Sequence, residues 1–158
     1  MTYQVHNIPP VYDSRSKILI LGSFPSVKSR ETAFFYGHPQ NRFWKVLSGL
    51  WEKECPKTVE EKKAFLLERH IAVWDVIKTC EIEGSGDSTI KNAVPNDLAF
   101  LLRAAPLERI FANGATAYRL YKKYYPDGPE IIKLPSTSPA NAAYSIERLK
   151  ECWRVIRE

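Results

Sequence analysis

The sequence predicts an α/β fold, a three-layer α/β/α sandwich around a short, mostly parallel central sheet of about four strands. Two observations carry this. Short runs rich in β-branched and aliphatic residues occur at Lys17–Leu21, Ile71–Ile77, Arg109–Ala112 and Ile131–Leu134, the composition of buried strands. Between them apolar residues recur at helical spacing, and alternation of the two element types calls for crossover helices on both faces of a parallel sheet. The Ile18-Leu19-Ile20-Leu21 run has no polar alternation, as expected of a strand covered on both sides.

Taken in order, residues 1–16, with His6-Asn7-Ile8-Pro9-Pro10, read as an irregular lead-in. Gly22 closes the first strand, and Gly22–Gly37 keeps no period and is expected to be a long loop. Phe43, Val46, Leu47, Leu50 and Trp51 then form one apolar helical face, entered near Pro39–Asn41. Thr58 and Glu61 make a capping-box pair opening a helix that runs to about Arg69. Asp75 interrupts the second strand, and Gly84–Ser88 is loop. Pro95 is expected to open a helix carrying Leu98, Leu101, Leu102 and Ala105. The third strand ends in Asn113-Gly114, after which Ala117, Leu120, Tyr121 and Tyr124 mark a helix stopped by Pro126. Pro135–Asn141 is loop, and Ile146, Leu149, Cys152, Trp153 and Ile156 mark the last helix. No repeat, low-complexity tract or linker divides the chain, so residues 1–158 are expected to form one domain.

Composition narrows the function classes. A hydrophobic fraction of 44% and a charged fraction of 26% are those of a globular protein. The longest apolar run falls far short of the ~18 residues of a membrane span. The first residues show no basic segment followed by an apolar one, so no secretory signal is apparent and a cytoplasmic location is expected. Cys55, Cys80 and Cys152 form no CxxC and should be reduced thiols. His6, His38 and His70 are equally scattered. A structural zinc or an iron–sulfur cluster takes about four ligands, so neither metal nor other cofactor is expected. The 23 Lys and Arg against 18 Asp and Glu give a net charge of +5, which suits a polyanionic partner rather than a membrane, met by a monomer.

In parallel sheets functional loops lie beyond the carboxyl ends of the strands. Three qualify here: the loop from Gly22, the Asn113-Gly114 turn, and the loop from Pro135. The first reads Gly22-Ser23-Phe24-Pro25-Ser26 and is followed by Tyr36-Gly37-His38-Pro39-Gln40-Asn41-Arg42-Phe43-Trp44; the last reads Leu134-Pro135-Ser136-Thr137-Ser138-Pro139. In this order and on these elements, the segments resemble the motifs of the uracil-DNA glycosylase superfamily, over nearly the whole chain. Its mismatch-specific branch has a Gly-x-x-Pro loop after the first strand, a His-Pro-x-Asn-Arg-Phe-Trp segment entering a helix, and a Pro-Ser loop after the last strand. Two departures refine the likeness. Phe24 stands where members usually carry a water-positioning Asp or Asn, and Leu134 where they carry His or Asn. Both features look like the hypoxanthine-DNA glycosylase branch, as do Trp74 through Asp87 and Ser88.

The resemblance implies a monofunctional glycosylase that removes a deaminated base from DNA, hypoxanthine first, with Asn41 as the catalytic residue. It implies base binding by Gly22, Ser23, Phe24, Tyr36, His38 and Asn113. Contacts to DNA are implied for Ser26, Arg42, Ser136, Thr137 and Ser138. Each residue has a simpler reading. Asn41 can cap its helix, Phe24 and Tyr36 can be core aromatics, and His38 and Asn113 can form turns. Arg42 can pair with a carboxylate, and the Ser136–Ser138 hydroxyls can satisfy a tight turn. Alternatives for the whole chain are a uracil or mismatch glycosylase, a non-enzymatic nucleic-acid binder, and a small-molecule hydrolase or nucleoside-processing enzyme.

Overall fold

A computed structural model describes residues 2–158. In chain order the elements are β1 (Thr2–Val5), β2 (Ile18–Gly22), α1 (Val27–Thr32), α2 (Phe43–Leu50), α3 (Val59–Glu68), β3 (Ile71–Asp75) and β4 (Ile77–Ile82). Then follow β5 (Lys91–Pro95), α4 (Leu98–Ala104), β6 (Arg109–Asn113), α5 (Ala115–Tyr124), β7 (Ile131–Leu134) and α6 (Ile146–Trp153). The four expected strands form one parallel sheet in the order β3-β2-β6-β7. From β2 the chain goes first to one neighbour, β3, and later to the other, β6. The sheet therefore switches direction at β2, and its crevice opens beside Gly22.

Side chains of β2 explain the layers. Ile18 and Ile20 enter one core with α2, α3 and α6, whereas Leu19 and Leu21 enter a second core with α4 and α5. Successive strand residues point to opposite faces, so both faces need aliphatic residues and the apolar run is unbroken. The first core is built around Phe43, which has no exposed surface. Its ring stacks on Tyr36 with centroids 4.0 Å apart and meets Trp153 edge-on at 5.9 Å. The Thr58–Glu61 capping box is present with both reciprocal bonds.

The structure differs from the expected elements in four places. Thr2–Val5 is not irregular; it is a strand pairing antiparallel with β4, in a second sheet ordered β1-β4-β5. Its side chains are mostly exposed, so the strand owes its existence to a distant partner rather than to local pattern. The second expected strand divides at Val76. Val76 and Ile77 donate their N–H groups to the carbonyls of Gly22 and Ser23, so the chain follows β2 to its end and then turns away into β4. Pro95 ends β5 rather than opening a helix, which starts at Leu98; a proline at a strand end forfeits little pairing. Within the expected Gly22–Gly37 loop lies α1, capped by Ser26, whose side chain accepts from the Ser29 N–H. At six residues it is too short to show an apolar period. No helix among the described residues is long and apolar enough to cross a membrane.

Phe43→Ala empties the centre of the first core and should cost about 3–5 kcal/mol of stability. Urea unfolding checks this, and a loss below ~1 kcal/mol would show that the core closes over the gap.

Candidate active site

A pocket of about 320 Å³ opens at the carboxyl ends of β2, β3 and β6. It is lined by Gly22–Ser26, Tyr36, His38, Asn41, Asp75, Asp87, Asn113 and Ser136–Ser138, among others. The three loops expected to meet therefore meet. Of the site residues expected from sequence, all but Arg42 line this cavity.

One hydroxyl ties the walls together. Thr137, fully buried, donates its hydroxyl to Asn41 Oδ1 at 2.8 Å and accepts from Asn113 Nδ2 at 3.0 Å. Its backbone N–H donates to Asn113 Oδ1 at 3.0 Å. Asn41 Oδ1 also accepts from the Phe43 N–H at 2.9 Å. That backbone donor fixes which end of the Asn41 amide is oxygen. Both lone pairs of the oxygen are then taken, and Asn41 meets the cavity with its Nδ2 hydrogens. Thr137, expected to touch phosphate, instead holds two asparagines.

Arg42 is likewise turned inward. Its guanidinium donates to the carbonyls of Ser138 and Asn141, each at 2.9 Å, and to that of Tyr144. It clamps the segment after β7 rather than facing an external phosphate. Ser136 and Ser138 accept through Oγ from the N–H groups of Ser138 and Ala140, which leaves their hydroxyl protons free to donate. His38 Nδ1 accepts from the Gln40 N–H at 3.1 Å, so it shapes its turn while lining the cavity. The Gly114 N–H, where helix α5 begins, is taken by the carbonyls of Ala112 and Leu134.

Three residues not singled out from sequence enter the site. His6 Nδ1 accepts from the Ile8 N–H at 3.2 Å, which places the ring proton on Nε2, 2.8 Å from Asp75 Oδ2. Both side chains of this pair are at most 5% exposed. Asp75 Oδ1 accepts no hydrogen bond among the described residues. A Cβ on Gly22 would fall 2.4 Å from Asp75 Oδ1 and 3.1 Å from the Tyr36 hydroxyl, so only glycine allows both groups to approach. The Tyr36 backbone is left-handed, with φ of 53°, a strain that functional sites often store. Its hydroxyl is buried without a hydrogen-bond partner. Burial pushes this phenol well above its ordinary value, and Asp75 adds to the rise. The Asn113 amide opposes the rise without reaching hydrogen-bond geometry. Asp87 accepts from the Ser23 hydroxyl at 2.8 Å. Burial pushes its carboxyl up, against the Ser23 bond, and Asp75 pushes it further. Among the described residues no group of three or more His, Cys, Asp or Glu could hold a metal ion.

Residues 9–157 match the family model described as the uracil DNA glycosylase superfamily. The chain belongs to the uracil DNA glycosylase superfamily. Within it, the chain is 36% identical over 151 residues to a hypoxanthine DNA glycosylase of Methanosarcina acetivorans, covering 94% of this chain and 96% of that one. It is 33% identical over 147 residues to a hypoxanthine DNA glycosylase of Methanosarcina barkeri, covering 92% of each. Its fold is similar, with a TM-score of 0.83 and 34% identity, to the solution NMR structure of a Methanosarcina acetivorans protein described as a candidate uracil DNA glycosylase. That likeness covers 99% of this chain and 98% of the other.

Sequence reading of this superfamily member gave no site role to His6, Asp75 or Asp87, although the resemblance took in the stretch from Trp74 to Asp87. A signal existed for one: an aspartate at the carboxyl end of an otherwise apolar strand lies where parallel sheets place ligands. His6 offered none, because its partner is 69 residues away.

The raised Asp87 carboxyl has a signed consequence. The folded state holds this proton more tightly than the unfolded chain, so stability is full below the ordinary value of 3.8 and falls as pH rises through the raised folded one. Asp87→Asn should therefore raise the melting temperature near neutral pH, with the gain vanishing in acid below the ordinary value. A gain independent of pH would assign the effect to packing instead.

Proposed function

We propose that the protein is a monofunctional DNA glycosylase that hydrolyses the N-glycosidic bond of a deaminated base in DNA, hypoxanthine above all. The observation that carries the reading is the pocket itself. Its 320 Å³, at the carboxyl ends of β2, β3 and β6, have room for a base, and a base stacked inside a duplex reaches such a recess only when its nucleotide is turned out of the helix. The names of the Methanosarcina relatives support hypoxanthine as that base.

Breaking the bond builds positive charge on the sugar and negative charge on the departing base. Preorganised dipoles serve both without having to reorient. Asn41, its oxygen held by Phe43 and Thr137, offers Nδ2 hydrogens to the oxygen of the attacking water. This fixes the water in place and leaves a lone pair for the sugar, a positioning role that suffices when the sugar cation is largely formed before attack. No lysine lines the pocket, which favours water over an amine as nucleophile. The free hydroxyl protons of Ser136 and Ser138, half-buried in the cavity lining, suit phosphate oxygens. Leu134 is buried in the core and offers nothing to a pyrimidine oxygen, so a uracil anion would leave without that help. Losing one such donor typically costs ~2.7–4 kcal/mol.

Single-turnover excision from oligonucleotides carrying one deoxyinosine or one deoxyuridine in the same sequence tests this. Hypoxanthine should be released at least about tenfold faster, and Asn41→Ala should slow release by about a hundredfold or more while the protein still folds and binds DNA. Uracil released as fast as hypoxanthine would contradict the substrate assignment. Near wild-type rates in Asn41→Ala would reduce Asn41 to a helix cap.

A further inference from the structure

We infer that Arg119, Lys122 and Lys133 form a seat for the sugar–phosphate backbone of the substrate DNA, beside the pocket mouth and outside the pocket itself. The identity of the partner rests on the proposed function; the seat concerns how DNA is held, not how a base is read.

Charge is distributed unevenly over the molecule. Helix α5 carries Arg119, Lys122 and Lys123 and no carboxylate, and β7, packed beside it, carries Lys133 and none. All of these cations are exposed. Among the described residues none of them lies within ion-pair distance of a carboxylate. Asp127 and Glu130, the nearest acids in sequence, belong to the turn between α5 and β7, at the end of β7 away from Ser136. A helix dipole favours cations in the last turn, which accounts for Lys122 and Lys123. It accounts for neither Arg119, in the middle of the helix, nor Lys133, on a neighbouring strand.

Tyr118 gathers two of the charges. The Lys122 and Lys133 ammonium groups lie over its ring, each 5.7 Å from the centroid. The face of an aromatic ring attracts a cation, but two like charges drawn to one ring repel each other. An anion between them removes that cost.

The place suits DNA. Lys133 pairs with Ala112, one residue before Asn113, which lines the pocket. Ser136, also in the lining, follows Lys133 by three residues, so their Cα atoms are at most about 11 Å apart. Arg119 is close enough to Asp87, another lining residue, for its charge to favour that carboxylate. The cationic surface therefore begins at the mouth. A duplex with one nucleotide turned into the pocket brings a phosphate charge past it for every ~1.7 Å of its length.

The test is the salt dependence of binding to a duplex carrying the uncleavable 2′-fluoroarabino analogue of deoxyinosine. Each phosphate contact contributes about 0.9 to the slope of log K against log salt. The Lys122→Ala, Lys133→Ala double variant should lower the slope by about 2 and weaken binding roughly tenfold at ~50 mM salt. Arg119→Ala alone should lower it by about 1. The double variant should lose as much on an undamaged duplex, and its single-turnover release of hypoxanthine at saturating enzyme should stay within about twofold of wild type. Replacing both lysines by arginine should restore the slope, because charge and not packing is at issue. Arg15→Ala with Lys17→Ala removes two exposed cations next to the amino end of β2, opposite the pocket, and should leave the slope unchanged. An unchanged slope in the Lys122, Lys133 variant, or an equal fall in the Arg15, Lys17 variant, would overturn the inference. So would a loss of affinity seen on an RNA duplex of the same sequence and not on the DNA. Failure of the wild type to release hypoxanthine would instead overturn the proposed function, while the slopes, which need no chemistry, would still decide for or against the seat.

Discussion

The Thr137 hydroxyl is the joint on which the site depends. It bonds Asn41, at the start of α2, and Asn113, at the end of β6, from a loop that follows β7. These segments lie 96 and 24 residues away along the chain, and no other single group among those described joins all three. The bonds are buried, where an unmade partner costs more than a made bond contributes. Breaking the joint would strand the Asn113 Nδ2 donor and leave the Asn41 oxygen to the Phe43 N–H alone. Arg42 backs the same loop by holding three of its carbonyls, and the Asn141 amide and the Trp153 indole hold the carbonyls of Ser136 and Pro135.

The opposite wall obeys a different constraint, that of close approach. Register places Gly22 beside Asp75 at the ends of two neighbouring parallel strands. With no side chain at Gly22, the carboxylate and the Tyr36 phenol lean over the strand end. His6 then supplies the one hydrogen bond that orients the carboxylate. The second sheet has its reason here: β1 ends at Val5, and its pairing with β4 delivers His6, whose N–H bonds the Lys78 carbonyl, to the edge of the pocket. A segment that looks peripheral to the fold thereby reaches into the site.

What was legible in the sequence was what local chemistry determines. β2 announced itself because a strand buried on two faces must be aliphatic throughout, and α3 because a capping box is a local pair. The motif loops were legible through their resemblance to a family. Illegible features were those whose partners are distant. Thr2–Val5 becomes a strand only against β4, and His6 matters only through Asp75. Arg42 and Thr137 read as outward, DNA-facing groups because Arg, Ser and Thr in a loop often are. The structure turns them inward to satisfy carbonyls and amides that the sequence does not display together. Asp75 was visible as an interruption in an apolar strand, and the interruption was the signal.

The most direct test of the account is where a flipped base sits. Backbone amide shifts of ¹⁵N-labelled protein can be followed on adding a duplex that carries one uncleavable 2′-fluoroarabino analogue of deoxyinosine. The account predicts that the largest changes fall on Gly22, Asp75, Asn113 and Thr137, around a single pocket. Changes confined to another surface, such as that of Tyr118, Lys122 and Lys133, with those four amides unmoved, would contradict it.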